Sequence, residues 1–417
     1  MTKTASPKPR ILEPQRAQGE IRFEMPDDIL AADHPARLIW EVLGRVDLSP
    51  FAAACGSVEG RAGRPPLSPR MVLTLWLYGI SQGVGSAREV ARLTSTDIAY
   101  RWIVGDLSIT HHKLSAFRAT QTEALNALFT DVLASLMEKG LLSLELVAQD
   151  GTRTRAAASA PSFRTYGSLK ECREQAALHL KAVLAAADDP QYTRAQHARR
   201  EVAAREFQAR VEAAMATVQT LQKERLPTDK PARASTTDAD ARVMKMPDGG
   251  YRPAYNVQYA VAGSPMGGPR TIVGVEVTNV GSDRSSITPM AEQIEERTGQ
   301  RPQTVLADGG HANHEDIAEA RRRGIDVIVP PMKGAKALDE MKNADPEVLA
   351  WRRRMETDEA KELYRARSGL VELANANQKT HHGITQFLVR GIPKVTSVVL
   401  MSAIASNILQ HAHSVLG

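Results

Sequence analysis

Apolar residues follow two different periods along the chain. From about residue 18 to 141 they recur at helical spacing. Ser68 and Pro69 form an N-cap and a first-turn proline, and Met71, Val72, Leu75, Trp76 and Leu77 follow on a helical period. The pattern breaks at GISQGVGS. Ser86 then opens another helix, with Glu89 three residues on in capping-box position. Val90, Leu93, Ile98, Trp102 and Ile103 spread over two short segments. The stretch ITHHKLSAFRATQTEALNALFTDVLASLMEKG predicts one or two helices with Leu125, Leu128, Val132 and Leu136 on one face. Residues 1–17 are polar, contain Pro7, Pro9 and Pro14, and predict a loose arm.

From residue 144 the period shortens. LELVAQD predicts a buried strand ending in an acid, with GTR as a turn. Residues 168–226 then interrupt it with a polar, alanine-rich stretch that Asp188-Asp189-Pro190 splits into two helices. In the second, Ala204, Phe207, Val211, Ala214, Val218 and Leu221 alternate at three and four residues, a short seam that predicts a helical hairpin. Strands resume at PAYNVQYAVAG and TIVGVEVTN, joined by GSPMGGPR as a hairpin. Ile287–Arg297 predicts a helix, TVLADGG a strand ending in an acid, 314–323 a helix and IDVIVPP a strand. The last stretch is mostly helical and ends in SVVLMSAIASNIL. The fold class expected is α/β: a mixed sheet flanked by helices, interrupted by a hairpin and preceded by an all-α domain.

Composition narrows this only a little. The chain has 417 residues, 53 Lys plus Arg against 48 Asp plus Glu, and a formal charge of +5. That excess permits a nucleic-acid partner without requiring one. The two cysteines, Cys55 and Cys172, exclude a disulfide framework, and Cys172 is expected to pack in the hairpin seam. The apolar runs fall short of the ~18 residues of a membrane helix, so no membrane partner and a reducing, cytoplasmic setting are expected. There is no GxxxxGK[ST] and no G-x-S-x-G, which excludes a P-loop ATPase and argues against an α/β hydrolase.

Two acids come directly after apolar strands and precede glycine: Asp150 in LVAQDGT and Asp308 in VLADGG. Carboxylates at strand carboxyl ends can be turn residues or can hold hard cations such as Mg²⁺. A pair of such ions can clamp an in-line phosphoryl displacement, for which a third, helical acid is expected. Glu372 and Lys379 lie seven residues apart and share a helical face, but spacing does not choose Glu372 over Glu356, Glu359 or Glu362. Asp238 and Asp240 in STTDADARV fit a polar turn or a supporting role. His311 suits a phosphate contact or a cap for helix 314–323. Arg321–Arg323 and Arg352–Arg354 form local basic runs, and neither His111-His112 nor His381-His382 has a zinc-ligand spacing.

Taken together, several segments resemble a bacterial insertion-sequence transposase of the DDE type, which has a ribonuclease-H-like catalytic core. They are PRMVLTLWLYGISQGVGSAREVARLTSTDIAYRWI with HHKLSAFR, then STTDADARVM, YNVQYAVA, VEVTNVGSDRSSITPM, VLADGGHANHEDIAEARRRGIDVIVP and VRGIPKV…NIL, covering roughly residues 20–417. The resemblance implies a helix-turn-helix-like DNA-binding domain at 18–141 and a ribonuclease-H-like domain at 142–417 interrupted at 168–226. It implies the triad Asp150, Asp308 and Glu372 as catalytic and metal-holding residues. Two Mg²⁺ ions, replaceable by Mn²⁺, would support DNA cleavage and strand transfer by a freed 3′-hydroxyl. Tyr364, Arg367 and Lys379 match a Tyr–Arg–Glu–Lys signature that contacts DNA, and Arg88, Arg92 and Arg118 are expected DNA contacts in the helical domain. Transposon-end and target duplexes are the implied partners of a homodimer acting at the bacterial nucleoid.

The match has departures. Four residues separate Arg367 from Glu372 where three are common, and Leu373-Ala374-Asn375-Ala376 replaces a proline and a Phe-Gly pair. Gly310-His311 follows Asp308 where an aromatic is frequent. Three other functions remain open on the same residues. They are a decayed protein that binds DNA without cutting it, a helix-turn-helix regulator with an α/β effector domain, and a nuclease without strand transfer.

Overall fold

The computed structural model describes residues 25–416 apart from 53–65, 187–188, 225–230, 333, 337 and 342–343. The expected arm at 1–17 and Cys55 lie outside the described residues. The N-terminal helices are α1 (Pro35–Leu43), α2 (Ser49–Ala52), α3 (Pro69–Ser81), α4 (Ala87–Thr96), α5 (Ile98–Val104), α6 (His111–Thr120) and α7 (Thr122–Glu138). Local chemistry sets their ends. Ser68 accepts from the Met71 amide at the start of α3, and Asp97 accepts from Ala99 and Tyr100 at the start of α5. Ser86 caps α4 through the Glu89 amide, but Glu89 turns its carboxylate to Arg92, so only half of the capping box forms. All ten residues from Met71 to Ile80 are buried, so α3 is a central rather than an amphipathic helix.

After β1 (Leu146–Arg155) come β2 (Phe163–Thr165), α8 (Tyr166–Ala185), α9 (Arg194–Glu224), β3 (Arg233–Ser235), β4 (Arg242–Lys245), β5 (Tyr251–Ala262) and β6 (Thr271–Thr278). Then follow α10 (Ile287–Thr298), β7 (Thr304–Leu306), α11 (His314–Arg322), β8 (Asp326–Ile328), α12 (Pro346–Glu356) and α13 (Asp358–Arg367). A π-helical turn (Ser368–Glu372), α14 (Leu373–Thr380) and α15 (Ile392–Leu416) complete the chain. In the main sheet β6 pairs with β5, β5 with β1, β1 with β7 and β7 with β8. β5 runs antiparallel to both β6 and β1, while β7 and β8 run parallel to β1. Among these five strands the spatial order is third, second, first, fourth, fifth. This curled mixed sheet with helices is consistent with a ribonuclease-H-like domain.

The LELVAQD strand does not end at Asp150. β1 runs on through Gly151 to Arg155, because β5 keeps pairing along its other edge as far as Ala254. Parallel pairing with β7 stops earlier, at Ala148–Leu306. Past that point one edge of β1 has no strand partner until Arg155 meets the segment at Gln386, and Asp150 lies beside the opening.

α8 and α9 pack on each other through Leu169, Ala176 and Val183 on one helix and Ala204, Val211, Ala214 and Val218 on the other. Cys172 is half-buried on that side. Most arginines of the basic runs are paired or buried, Arg353 being the exposed exception. Arg321 pairs with Asp326 and Glu347, Arg322 with Glu319 and Asp345, Arg323 with Glu292 and Glu319, and Arg354 with Asp326 and Glu359. Arg352 is buried and donates to the Lys336 carbonyl.

α15 corrects the expectation from apolar run length. Among the described residues it is the one helix long and apolar enough to cross a membrane, and here it is mostly buried, packed on α1, α3, α7 and β6. Its polar side chains close the edge of β6. Asn407 accepts from the Ile272 amide at 2.9 Å and donates to the Ile272 carbonyl at 2.7 Å, and Gln410 does the same for Arg270 at 2.7 and 3.1 Å. These amides take the place of a further strand. Asn407→Ala leaves both buried Ile272 groups unpaired. It is expected to cost about 2–4 kcal/mol, seen as a lower urea midpoint; a loss below ~0.5 kcal/mol would count against the clamp.

Candidate functional site

Asp308 lies two residues past the end of β7 and caps a short turn, accepting from the Gly310 amide at 2.9 Å. β7 is the parallel neighbour of β1, so Asp308 and Asp150 emerge side by side where the two strands part. Ligands of open α/β sheets bind at such carboxyl ends. Asp150 is flanked from above by the C-terminal helices. Asn375 Nδ2 donates to Asp150 Oδ2 at 2.9 Å, and Arg367 Nη1 lies 3.7 Å from Asp150 Oδ1.

The same guanidinium reaches Glu372, with Nη2 2.7 Å from Oε1. Arg367 thus joins the first and third acids, and its own side chain is only 12% exposed. Tyr364 lies under it, the guanidinium carbon 5.9 Å from the ring centre. Lys379, one turn beyond Asn375, is half-buried. Burial lowers its pKa, while the negative charge of Asp150 opposes the shift.

The extra residue between Arg367 and Glu372 has a structural counterpart. On a continuous α-helix an offset of five residues turns side chains about 140° apart. The π-helical turn Ser368–Glu372 absorbs the added residue and lets Arg367 and Glu372 meet. Glu372 keeps half of its side chain exposed beside Arg367.

The two aspartates differ in electrostatics. Burial pushes the Asp150 pKa above the ordinary carboxylate value; Arg367 opposes this and the neighbouring Asp308 adds to it. Asp308 is held below its ordinary value, chiefly by the hydrogen bond with His311. His311 is fully buried, with Nδ1 2.9 Å from Asp308 Oδ1 and Nε2 3.4 Å from Gln258 Oε1. It does not cap the following helix; Asn313 does, by accepting from the Glu315 amide. Gln258 in turn donates to Asp283 at 2.6 Å, Asn256 donates to it at 2.7 Å, and Arg153 lies 3.5 Å away. Gly151 leaves room for this cluster, since a Cβ there would collide with Asp283 Oδ1 and Gln258 Nε2.

Other expected positions lie elsewhere. Asp238 and Asp240 fasten the approach to α15: Asp238 accepts from the Tyr255 hydroxyl and the Gly391 amide, and Asp240 from the Ile392 amide. Arg88 and Arg92 are exposed on α4, Arg92 paired with Glu89. Arg118, expected on a DNA-facing surface, is buried instead. It donates to the Gly85 carbonyl at 2.6 Å and covers the Trp76 ring at 4.3 Å, so it holds the turn before α4 in place. Asn375 and the Gln258–Asp283 cluster escaped the sequence, because isolated amides on a strand or helix carry no spacing signal. Gly151 carried a signal, a glycine inside an apolar strand, that fitted a turn equally well.

Asp150 carries a charge that folding disfavours. The sign comes from its raised pKa: the neutral form is favoured in the folded state, so stability falls as pH rises through the carboxylate range. Asp150→Asn is therefore expected to melt higher than the wild-type protein at pH 7 without divalent ions, the gap closing below about pH 4. A variant melting lower at pH 7 would contradict this.

Two family models match the chain. "Transposase DDE domain" covers residues 231–408, including Asp308, Arg367, Glu372 and Lys379, and "Transposase domain (DUF772)" covers residues 24–120. Asp150 falls between the two matches. Neither a curated protein nor a solved structure matches the chain. In this order the two matches give the chain a transposase domain over residues 24–120 and a transposase DDE domain over residues 231–408, the second spanning β7, Asp308 and the helices that carry Arg367 and Glu372.

Proposed function

We propose that the protein binds the ends of its own insertion sequence and cleaves and transfers DNA strands through Asp150, Asp308 and Glu372. The observation that carries this is that Asp150 and Glu372, distant in sequence, share the Arg367 guanidinium, while Asp308 follows the strand parallel to that of Asp150. Among the described residues no three metal-ligating side chains are yet gathered into one cation cluster. Arg367 stands between two of the carboxylates and supplies the positive charge there. The donors are all carboxylate oxygens, which suits Mg²⁺ or Mn²⁺.

Asp150 and Asp308 would hold a divalent cation and Glu372 would complete the set. When bound, such ions polarise the scissile phosphate and lower the pKa of the attacking hydroxyl or water. The chain's own groups orient the acids. Asn375 fixes the Asp150 carboxylate, and His311 fixes Asp308 and keeps it ionised. Arg367, released from its two acids, and Lys379 are placed to bind phosphates of the end duplex next to the cut. Tyr364 lines the same side. Arg88 and Arg92 on α4 add phosphate contacts in the helical region at 18–141. Two copies, one at each end, would form the working assembly.

Incubation of the full-length protein with its element ends and Mg²⁺ should release 3′-hydroxyl ends. Asp150→Asn, Asp308→Asn and Glu372→Gln should each cost more than the ~10–100-fold typical of outer-sphere changes. Unchanged cleavage by any of the three would remove that residue from the triad. Absence of cleavage by the wild-type protein, with end binding intact, would favour the decayed DNA-binding protein. In a salt titration of end binding, Arg88→Gln should flatten the slope of log affinity on log salt by about one. An unchanged slope would place α4 away from the DNA.

A further inference from the structure

The π-helical turn that brings Glu372 to Arg367 is an uncommon geometry, and something outside the helix must stabilise it. A widened turn leaves backbone carbonyls without their α-helical partners. Here Arg270, just before β6, donates from Nε to the carbonyl of Gly369, inside the turn, at 2.5 Å. Arg270 is itself immobilised, because Gln410 on α15 bonds both its amide and its carbonyl. The neighbouring loop packs on the same turn: a Cβ on Gly263 would stand 2.9 Å from Leu370 Cδ2, so Leu370 lies close against that glycine.

We propose that Arg270 is a positioning residue for the third acid: by capping the Gly369 carbonyl it holds the π-helical turn that carries Glu372 to Arg367 and Asp150. Arg367 and Glu372 are five residues apart, so they meet only while the π turn is held. Without the π turn the helix would relax to α geometry and leave Glu372 about 140° from Arg367 around the axis. Arg270 touches no acid of the site and acts only through the helix backbone. Its guanidinium suits the task, since it stays charged and presents donors in a fixed plane.

This role rests on Glu372 being the third acid, and the test separates the two claims. Hydrogen exchange of the full-length protein without DNA reports on the turn alone. Arg270→Gln should speed exchange of the amides at 369–374 by about tenfold or more, with the α15 amides unchanged. Single-turnover cleavage of end DNA by Arg270→Gln should fall about tenfold, with the Kd for that DNA within about twofold of wild type. Arg270→Lys, which keeps a donor, should recover most of both effects. Unchanged exchange at 369–374, or faster exchange spread through α15, would overturn the proposal. So would wild-type cleavage by Arg270→Gln. If Glu372→Gln cleaves normally, the assignment of the acid fails while the exchange result still decides whether Arg270 holds the turn.

Discussion

Carboxylates crowded at the edge of a sheet repel one another, and the architecture around Asp150 answers that repulsion. Two unit charges 4 Å apart near a protein surface interact by about 4 kcal/mol, comparable to a large share of a domain's net stability. Without a metal, the chain meets this cost with its own groups. Arg367 stands between Asp150 and Glu372, Asn375 donates to Asp150, Lys379 lies within the field of Asp150, and His311 binds Asp308.

The fold supplies the geometry through one limited pairing. Parallel contact between β1 and β7 spans Leu146–Ala148 and Thr304–Leu306 and then ends, while β5 keeps β1 extended. The first acid is therefore held in a strand and the second in a capped turn beside it. The third comes from the C-terminal helices, whose position depends on contacts across the whole chain. α15 closes the β6 edge through Asn407 and Gln410, and Gln410 fixes Arg270, which reaches the turn carrying Glu372. The N-terminal helices share the same continuous apolar core, so the site is coupled to α1, α3 and α7 through α15.

Much of this was legible in the sequence because burial writes a period into it. The strands at PAYNVQYAVAG and TIVGVEVTN, the helix at Ile287–Arg297 and the acid at the end of TVLADGG emerge from apolar spacing and turn residues alone. The continuation of β1 past Asp150 was not legible, because whether Gly151 turns or stays extended depends on a partner strand a hundred residues away. The burial of Arg118 was hidden for a related reason: an arginine that packs on Trp76 has the same local sequence as one facing solvent. The four-residue gap before Glu372 looked like a departure from the family pattern, and its resolution in a π turn needs Gly369, Leu370 and Arg270 together. Spacing rules assume uniform helices, and this site is built where the helix is not uniform.

The most direct measurement is anomalous diffraction from crystals of the protein with its end DNA and Mn²⁺. A manganese peak is expected within about 2.0–2.3 Å of carboxylate oxygens of both Asp150 and Asp308, with Arg367 turned from Asp150 toward a DNA phosphate. A complex with DNA seated, no manganese between the aspartates and Arg367 still bridging Asp150 and Glu372 would contradict a metal-dependent role for these acids.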